Sequence, residues 1–307
     1  MRFTIFQESR VGRRKSNQDR MAYSYSRDAL LMVIADGMGG HLQGEVAAQI
    51  AVQYMVEAFQ REAKPRLADP FLFLSRGLTN AHCAILDYAD ERDIEDGPRT
   101  TCVACVIQDS VAYWAHAGDS RLYVLRAGHV MTHTRDHSRV QRMIDRGLLD
   151  EDGAMTHPHR NRIYSCLGGP IAPQIEYSRK TPLLAGDTVF LCSDGVWGPL
   201  GNDQLLRLFD DTNVMQAVPR VMDQAEAAGG ETCDNLTMVA LNWHDSYAEE
   251  PRGSVTTKTL PLDRHTTVLE GFGERTPMRD DWDESAIEAA ISEINSAINK
   301  YSKDPDK

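Results

Sequence analysis

Seven apolar residues in a row, Ala29-Leu30-Leu31-Met32-Val33-Ile34-Ala35, run into a carboxylate at Asp36 and then into Gly37-Met38-Gly39-Gly40-His41. An unbroken apolar run of that length reads as a strand buried on both faces. The glycines let the backbone turn tightly and approach another group closely. A long amphipathic pattern starts near Gln43. A buried strand that delivers an aspartate to a glycine-rich mouth is how a hard cation is usually held. The same letters also describe a strand–turn–helix corner with Asp36 as a turn residue, so the rest of the chain has to decide.

The chain has 307 residues, enough for one large or two ordinary domains, and its 42% hydrophobic and 25% charged residues are ordinary for a globular protein. A net charge of −12 makes nucleic acid and anionic membranes poor partners. No apolar run approaches the roughly 18 residues a membrane span needs. Met1–Gln7 lacks the long apolar region and cleavage site of a signal peptide, and the expected location is the cytoplasm. Cysteines stand at 83, 102, 105, 166, 192 and 233. Cys102 and Cys105 form a C-x-x-C inside Thr100–Ile107, which reads as a strand. Positions i and i+3 of a strand point to opposite faces, so the two sulfurs diverge and are expected to be small core hydrophobes.

Strands are expected at Arg2–Gln7, over Met21–Tyr25, through Ala29–Asp36, over 100–108, 111–116 and 121–125, at Thr188–Ser193 and at Leu236–Trp243. Helices are expected over Gln43–Ala63, about Asp69–Ala89, near Arg139–Arg146, and near 202–210 and 213–228. Strands, two helices, many hairpin-linked strands, two helices and a strand argue an α+β fold with antiparallel pairing. The strands are too many for one modest sheet. The expected architecture is a β-sandwich of two antiparallel sheets flanked by α-helices, four layers in the order α-β-β-α.

Three buried-type strands place an aspartate at one end: Asp36, Asp194 in Cys192-Ser193-Asp194-Gly195, and Asp234 ahead of Asn235-Leu236. Ionised carboxylates gathered in a core-rich region repel one another and lose solvation; bound cations cancel both penalties. Carboxylate, carbonyl and water ligands select Mg²⁺ or Mn²⁺ over zinc. One aspartate shared by two such cations makes a two-metal hydrolytic site that activates a bridging water. The guanidinium of Arg13 or Arg14 is placed to hold a phosphate bidentately. Other nucleotide and hydrolase signatures fail: there is no G-x-x-x-x-G-K-[ST], Leu42 breaks a dinucleotide fingerprint, and no G-x-S-x-G surrounds Ser165 or Ser193.

Arg14 to Asp19, Asp36-Gly37-Met38-Gly39-Gly40-His41, Gly118-Asp119-Ser120-Arg121, Ser193-Asp194-Gly195-Val196-Trp197 and Asp234-Asn235-Leu236-Thr237 occur in that order. Together they resemble the metal-dependent serine/threonine phosphatases of the type 2C class, the PPM family, in bacterial stand-alone form, over about residues 1–244. The resemblance implies that Asp36 bridges two tightly bound Mn²⁺ or Mg²⁺ ions and that the Gly37 carbonyl binds the second. Asp194 and Asp234 then complete the first, and Asp119 with Asp194 holds a weaker third. It implies that Arg14 binds substrate phosphate, that Asp19 hydrogen-bonds metal water, that Asn235 orients the Asp234 turn, and that 136–165 is a flap beside the site. The chain departs from the pattern at Gln18, where many members have Glu, and at Met38, where eukaryotic members have a proton-donating His. His41, His116, His133 and His137 read as surface residues or as residues behind the ligands.

The implied activity is hydrolysis of phosphoserine and phosphothreonine on proteins, opposing a Ser/Thr protein kinase. The alternatives are a regulatory binding module that keeps the fold but not the turnover, and a hydrolase of small phosphoesters. Residues 245–307 form an acidic extension with 14 acidic and 8 basic residues. It reads as a linker over 245–280 and an amphipathic helix over about 281–301, with Ile287, Ile291, Ile294, Ile298 and Tyr301 on one stripe. That stripe is expected to dock on a partner or on the chain's own domain.

Overall fold

The computed structural model describes residues 1–38, 43–150, 153–154, 157–209 and 213–247. All of them fall within one compact unit, Met1–Glu250. Gly39, Gly40 and His41 of the glycine-rich mouth, and the helix expected at 281–301, lie outside the described residues.

The chain opens with β1 (Phe3–Arg10), β2 (Asp19–Tyr25) and β3 (Ala29–Met38). The apolar run of β3 is buried on both faces for a simple reason. Leu30, Met32 and Ile34 point into the layer between two sheets, while Leu31, Val33 and Ala35 point under helices. Those helices are α1 (Gln43–Glu62) and α2 (Pro70–Asp90). Asp69 caps α2 by accepting from the Phe71 and Leu72 N–H groups at 2.9 and 3.1 Å, with Pro70 in the first turn. Next come β4 (Arg99–Thr100), β5 (Cys102–Gln108), β6 (Val111–Ala117), β7 (Arg121–Arg126) and β8 (His129–His133). A short helix, α3 (Arg139–Asp145), is followed by β9 (Glu176–Tyr177), β10 (Thr181–Pro182) and β11 (Thr188–Cys192). The described chain ends with α4 (Asp194–Arg207), α5 (Val214–Gly229) and β12 (Leu236–Trp243).

The strands pair antiparallel into two sheets, β1-β12-β11-β7-β8 and β10-β6-β5-β3-β2, with β4 against β3 and β9 against β6. One core lies between the sheets and includes Met32, Ile34, Val103, Leu191, Val239 and Trp243. A second joins α1 and α2 to the β3 sheet, and a third joins α4 and α5 to the β12 sheet. The α-β-β-α sandwich is therefore the architecture expected from sequence. The two sulfurs of the C-x-x-C diverge as expected, Cys102 into the helix-side core and Cys105 into the inter-sheet core. Among the described residues, no helix is long and apolar enough to cross a membrane.

Two local expectations differ from what is seen. The helix expected near 202–210 is present after a break at Gly201, whose φ is 67°, but a further helical segment that starts at Asp194, directly after β11, precedes it within α4. Gly195, Gly198, Pro199 and Gly201 hide its first half from a propensity reading. The strands β9 and β10, of two residues each, are too short to show a period of two, and β8, which alternates in burial over five residues, was not expected either.

Candidate metal centre

Strand register brings the predicted acids together. Asp19 opens β2 directly opposite Asp36 near the end of β3. In the other sheet Cys192 pairs with both Arg121 and Met238. This puts Asp119 before β7, Asp194 after β11 and Asp234 before β12 at the same end. The two sheets are tied there by the Ser193 hydroxyl, which donates to Asp19 Oδ2 at 2.8 Å.

The loop from β1 to β2 is fixed by Asn235. Its side-chain amide donates to the Val11 and Ser16 carbonyls at 2.8 and 3.0 Å, and its Oδ1 accepts from the Gln18 N–H at 2.8 Å. Gly12 sits at φ 61°, and a Cβ there would stand 2.1 Å from the Asp234 carbonyl oxygen. Only glycine suits both the angle and the approach. The loop thereby carries Arg14 onto Asp234: Nε and Nη2 donate to the two carboxylate oxygens at 2.8 and 2.6 Å. Arg13 takes no part in this fork; its backbone N–H donates to the Cys233 carbonyl.

Asp36 is held through its backbone. Its N–H donates to Thr101 Oγ1 at 3.1 Å, and its carbonyl accepts from Thr100 Oγ1 and the Thr101 N–H at 2.8 and 2.9 Å. Gly37 packs so closely on Gly44 that a Cβ would lie 2.2 Å from the Gly44 carbonyl oxygen. That contact lets α1 start beside the mouth. The turn that carries Asp119 is held at three successive residues. The Trp197 indole N–H donates to its carbonyl at 2.9 Å, and the Ser120 hydroxyl bonds Thr101 Oγ1 at 2.8 Å. Arg121, stacked 3.5 Å over the Trp197 ring, forks onto Asp136 with two bonds of 2.8 Å.

The electrostatics follow from the gathering. Burial, then the neighbouring carboxylates, pushes Asp36 and Asp119 well above the ordinary carboxylate range. The same causes raise Asp19 to about 7 and Asp194 to about 6. Arg14 is the cation bonded to the set, through Asp234. Five acids in one mouth, four of them held unfavourably as anions, with hydroxyls, amides and carbonyls around them, match hard divalent cations. The residues present therefore fit a manganese or magnesium centre, with Asp36, the Gly37 carbonyl, Asp194 and Asp234 as the candidate ligands and Asp119 beside Asp194.

A different group also brings ligand-type atoms together among the described residues. His116, His137 and Glu176 bring three within 4.8 Å of one another. His116 and Glu176 are paired across β6 and β9, and His137 stacks on His116 with ring centroids 4.6 Å apart. Both histidines are buried, so of the two expected placements, at the surface or behind the ligands, the surface one does not hold for them. His137 clamps the residue before Asp119: its N–H donates to the Gly118 carbonyl at 2.9 Å, and its Nδ1 accepts from the Gly118 N–H at 3.2 Å. His116 Nε2–H donates to the Arg135 carbonyl at 2.7 Å. Sequence reasoning singled out 136–165 as the flap and His137 as a residue at the surface or behind the ligands. It missed the Ser193 tie and this clamp, because neither leaves a periodic or motif signal.

Residues 7–232 match the protein phosphatase 2C family. A serine/threonine phosphatase of Listeria innocua is 28% identical over 240 residues, 77% of this chain and 94% of that protein. The crystal structure of the Mycobacterium tuberculosis serine/threonine phosphatase PstP superposes with a TM-score of 0.69 at 29% identity, covering 79% of this chain and 99% of that one. A structure of the PstP catalytic domain in complex with two manganese ions is 28% identical, with a TM-score of 0.67 over 79% of this chain and 99% of that one. A match spanning more than half of the chain, on a sandwich whose sheet ends gather these acids, settles the kinship: the chain belongs to the protein phosphatase 2C family.

Proposed function

We infer that the chain is a metal-dependent protein-serine/threonine phosphatase that removes phosphate from phosphoserine and phosphothreonine. The observation that carries this is the gathering of Asp19, Asp36, Asp119, Asp194 and Asp234 with Arg14 at one end of the sandwich. We assign Asp36, Asp194, Asp234 and the Gly37 carbonyl to two Mn²⁺ or Mg²⁺ ions, and Asp119 with Asp194 to a weaker third. When bound, such ions polarise the phosphoryl group and lower the pKa of a water they share. Arg14 presents a planar fork that now grips two carboxylate oxygens and fits two phosphate oxygens equally well. Asp19, held by the hydroxyls of Ser193 and Thr237, orients water at the mouth. Met38 has no proton to give, so the leaving alkoxide takes its proton from water or another group.

The substrates are phosphorylated proteins, and the opposing partner is a Ser/Thr kinase acting on the same proteins. The cytoplasm suits a chain whose six cysteines are all free thiols. The deciding experiment compares p-nitrophenyl phosphate with a phosphothreonine peptide, in Mn²⁺ and with chelator. Turnover of both, abolished by chelation, is expected. Asp194→Asn should lower kcat by roughly 10³-fold, since it removes a ligand charge. Turnover of the nitrophenyl ester alone would favour a small-phosphoester hydrolase, and no turnover of either a binding module.

A further inference from the structure

The flap carries a charge pattern that the phosphatase reading does not use. A groove of about 600 Å³ is lined by Arg139, Arg142, Arg146 and Arg162 with Ile163 and Tyr164 on its apolar side. All four arginines are exposed. Neighbouring charges are already matched: Arg135 pairs with Asp145, and Arg121 with Asp136. Among the described residues, Arg139, Arg142, Arg146 and Arg162 have no acidic partner; the Arg142 guanidinium lies 3.4 Å over the Tyr164 ring. Four guanidinium groups without an acidic partner among the described residues gather around one groove, on a protein whose net charge is −12. The groove also sits next to the reaction site in the chain. Tyr164 and Arg139 are fastened by backbone bonds to His137 and Arg162, and His137 in turn clamps Gly118, the residue before Asp119.

We propose that this groove is a second phosphate subsite, which takes an additional phosphoryl group on the same substrate segment as the phosphoresidue being hydrolysed. The proposal rests on the phosphatase reading and adds a preference to it. Guanidinium forks match phosphate oxygens in pairs, and a phosphoryl group offers three acceptors and close to two negative charges. Four forks exceed what one carboxylate accepts. The Tyr164 and Ile163 wall suits the peptide backbone and stem that carry the group.

The test uses the full chain in Mn²⁺ with three peptides: one phosphothreonine, the same peptide with a second phosphothreonine nearby, and the same with aspartate at that second position. The doubly phosphorylated peptide should have a kcat/KM about tenfold above the singly phosphorylated one, mainly through KM, and the ratio should shrink as salt rises. The pairs Arg139→Gln/Arg142→Gln and Arg146→Gln/Arg162→Gln should each bring the ratio towards one. A wild-type ratio of one, with p-nitrophenyl phosphate still hydrolysed, would overturn the subsite and leave the phosphatase reading standing. Failure to hydrolyse p-nitrophenyl phosphate would overturn the phosphatase reading instead. A tenfold ratio that survives in both pairs places the preference elsewhere, and an equal gain from aspartate replaces the phosphate assignment with general acidic recognition.

Discussion

At the scale of the residue, Arg14 separates a structural contact from a functional one. Its side chain is 57% exposed while it forks onto Asp234. Exposed ion pairs contribute about 0–1 kcal/mol, so Arg14→Ala should leave the urea midpoint nearly where it is. Its effect belongs on substrate: KM for a phosphopeptide should rise about tenfold or more, and Arg14→Lys should recover only part of it because lysine lacks the planar fork. A large loss of stability with unchanged KM would assign Arg14 to holding the Asp234 turn. The residues at strand ends were legible in the sequence, since an aspartate that terminates an apolar run has few structural uses. His116 and His137 were not. A histidine in a mixed segment carries no sign of burial until its neighbours are known, and theirs come from β6, β9 and the flap.

At the scale of the element, the flap base and the Asp119 turn form one unit. His137 and Asp136 bond the residues on either side of Asp119, at Gly118 and Arg121. Burial, with His116 and Arg142 nearby, lowers the His137 pKa to about 4, so the ring is neutral and its Nδ1 stays an acceptor. His137→Ala leaves the buried Gly118 N–H without that acceptor, a loss of about 1–3 kcal/mol. It should also raise the Mn²⁺ concentration needed for half-maximal activity, by loosening the turn that carries Asp119. His137→Asn places an amide oxygen near the position of Nδ1 and should restore both readouts. An alanine variant that loses stability but keeps the wild-type Mn²⁺ dependence would confine His137 to packing. The longer elements were legible because their periods are long enough to count: 20 residues in α1, 21 in α2 and 10 in β3. The start of α4 was not, since it is built from Gly195, Gly198 and Pro199 and is held in place by the strand before it and the turn at Asp234.

At the scale of the whole molecule, two sheets meet at an end where anions are disfavoured, and that should show in stability against pH. Asp19 titrates at about 7 and Asp194 at about 6, and Asp36 and Asp119 lie well above the ordinary value, all chiefly through burial. A carboxylate whose folded pKa lies above its unfolded value of about 3.9 adds stability below that value and loses it as pH rises through the folded one. His137, at about 4, and His116, also lowered, act in the opposite sense: their contribution is present above about 6.5 and is lost as pH falls. Between about pH 6.5 and pH 8 these histidines become neutral in both states, and the thiols of Cys102, Cys105 and Cys192, raised by burial, are still largely protonated in both, so the carboxylates dominate. In chelator, the urea midpoint should therefore fall between about pH 6.5 and pH 8, by up to about 1.4 kcal/mol per pH unit for each proton released. In Mn²⁺ the trend should reverse, because the cations bind the folded carboxylates in place of protons and gain affinity as protons leave. A midpoint in chelator that is flat or rises over this range would mean that the five acids do not share one desolvated mouth, whatever the activity of the protein.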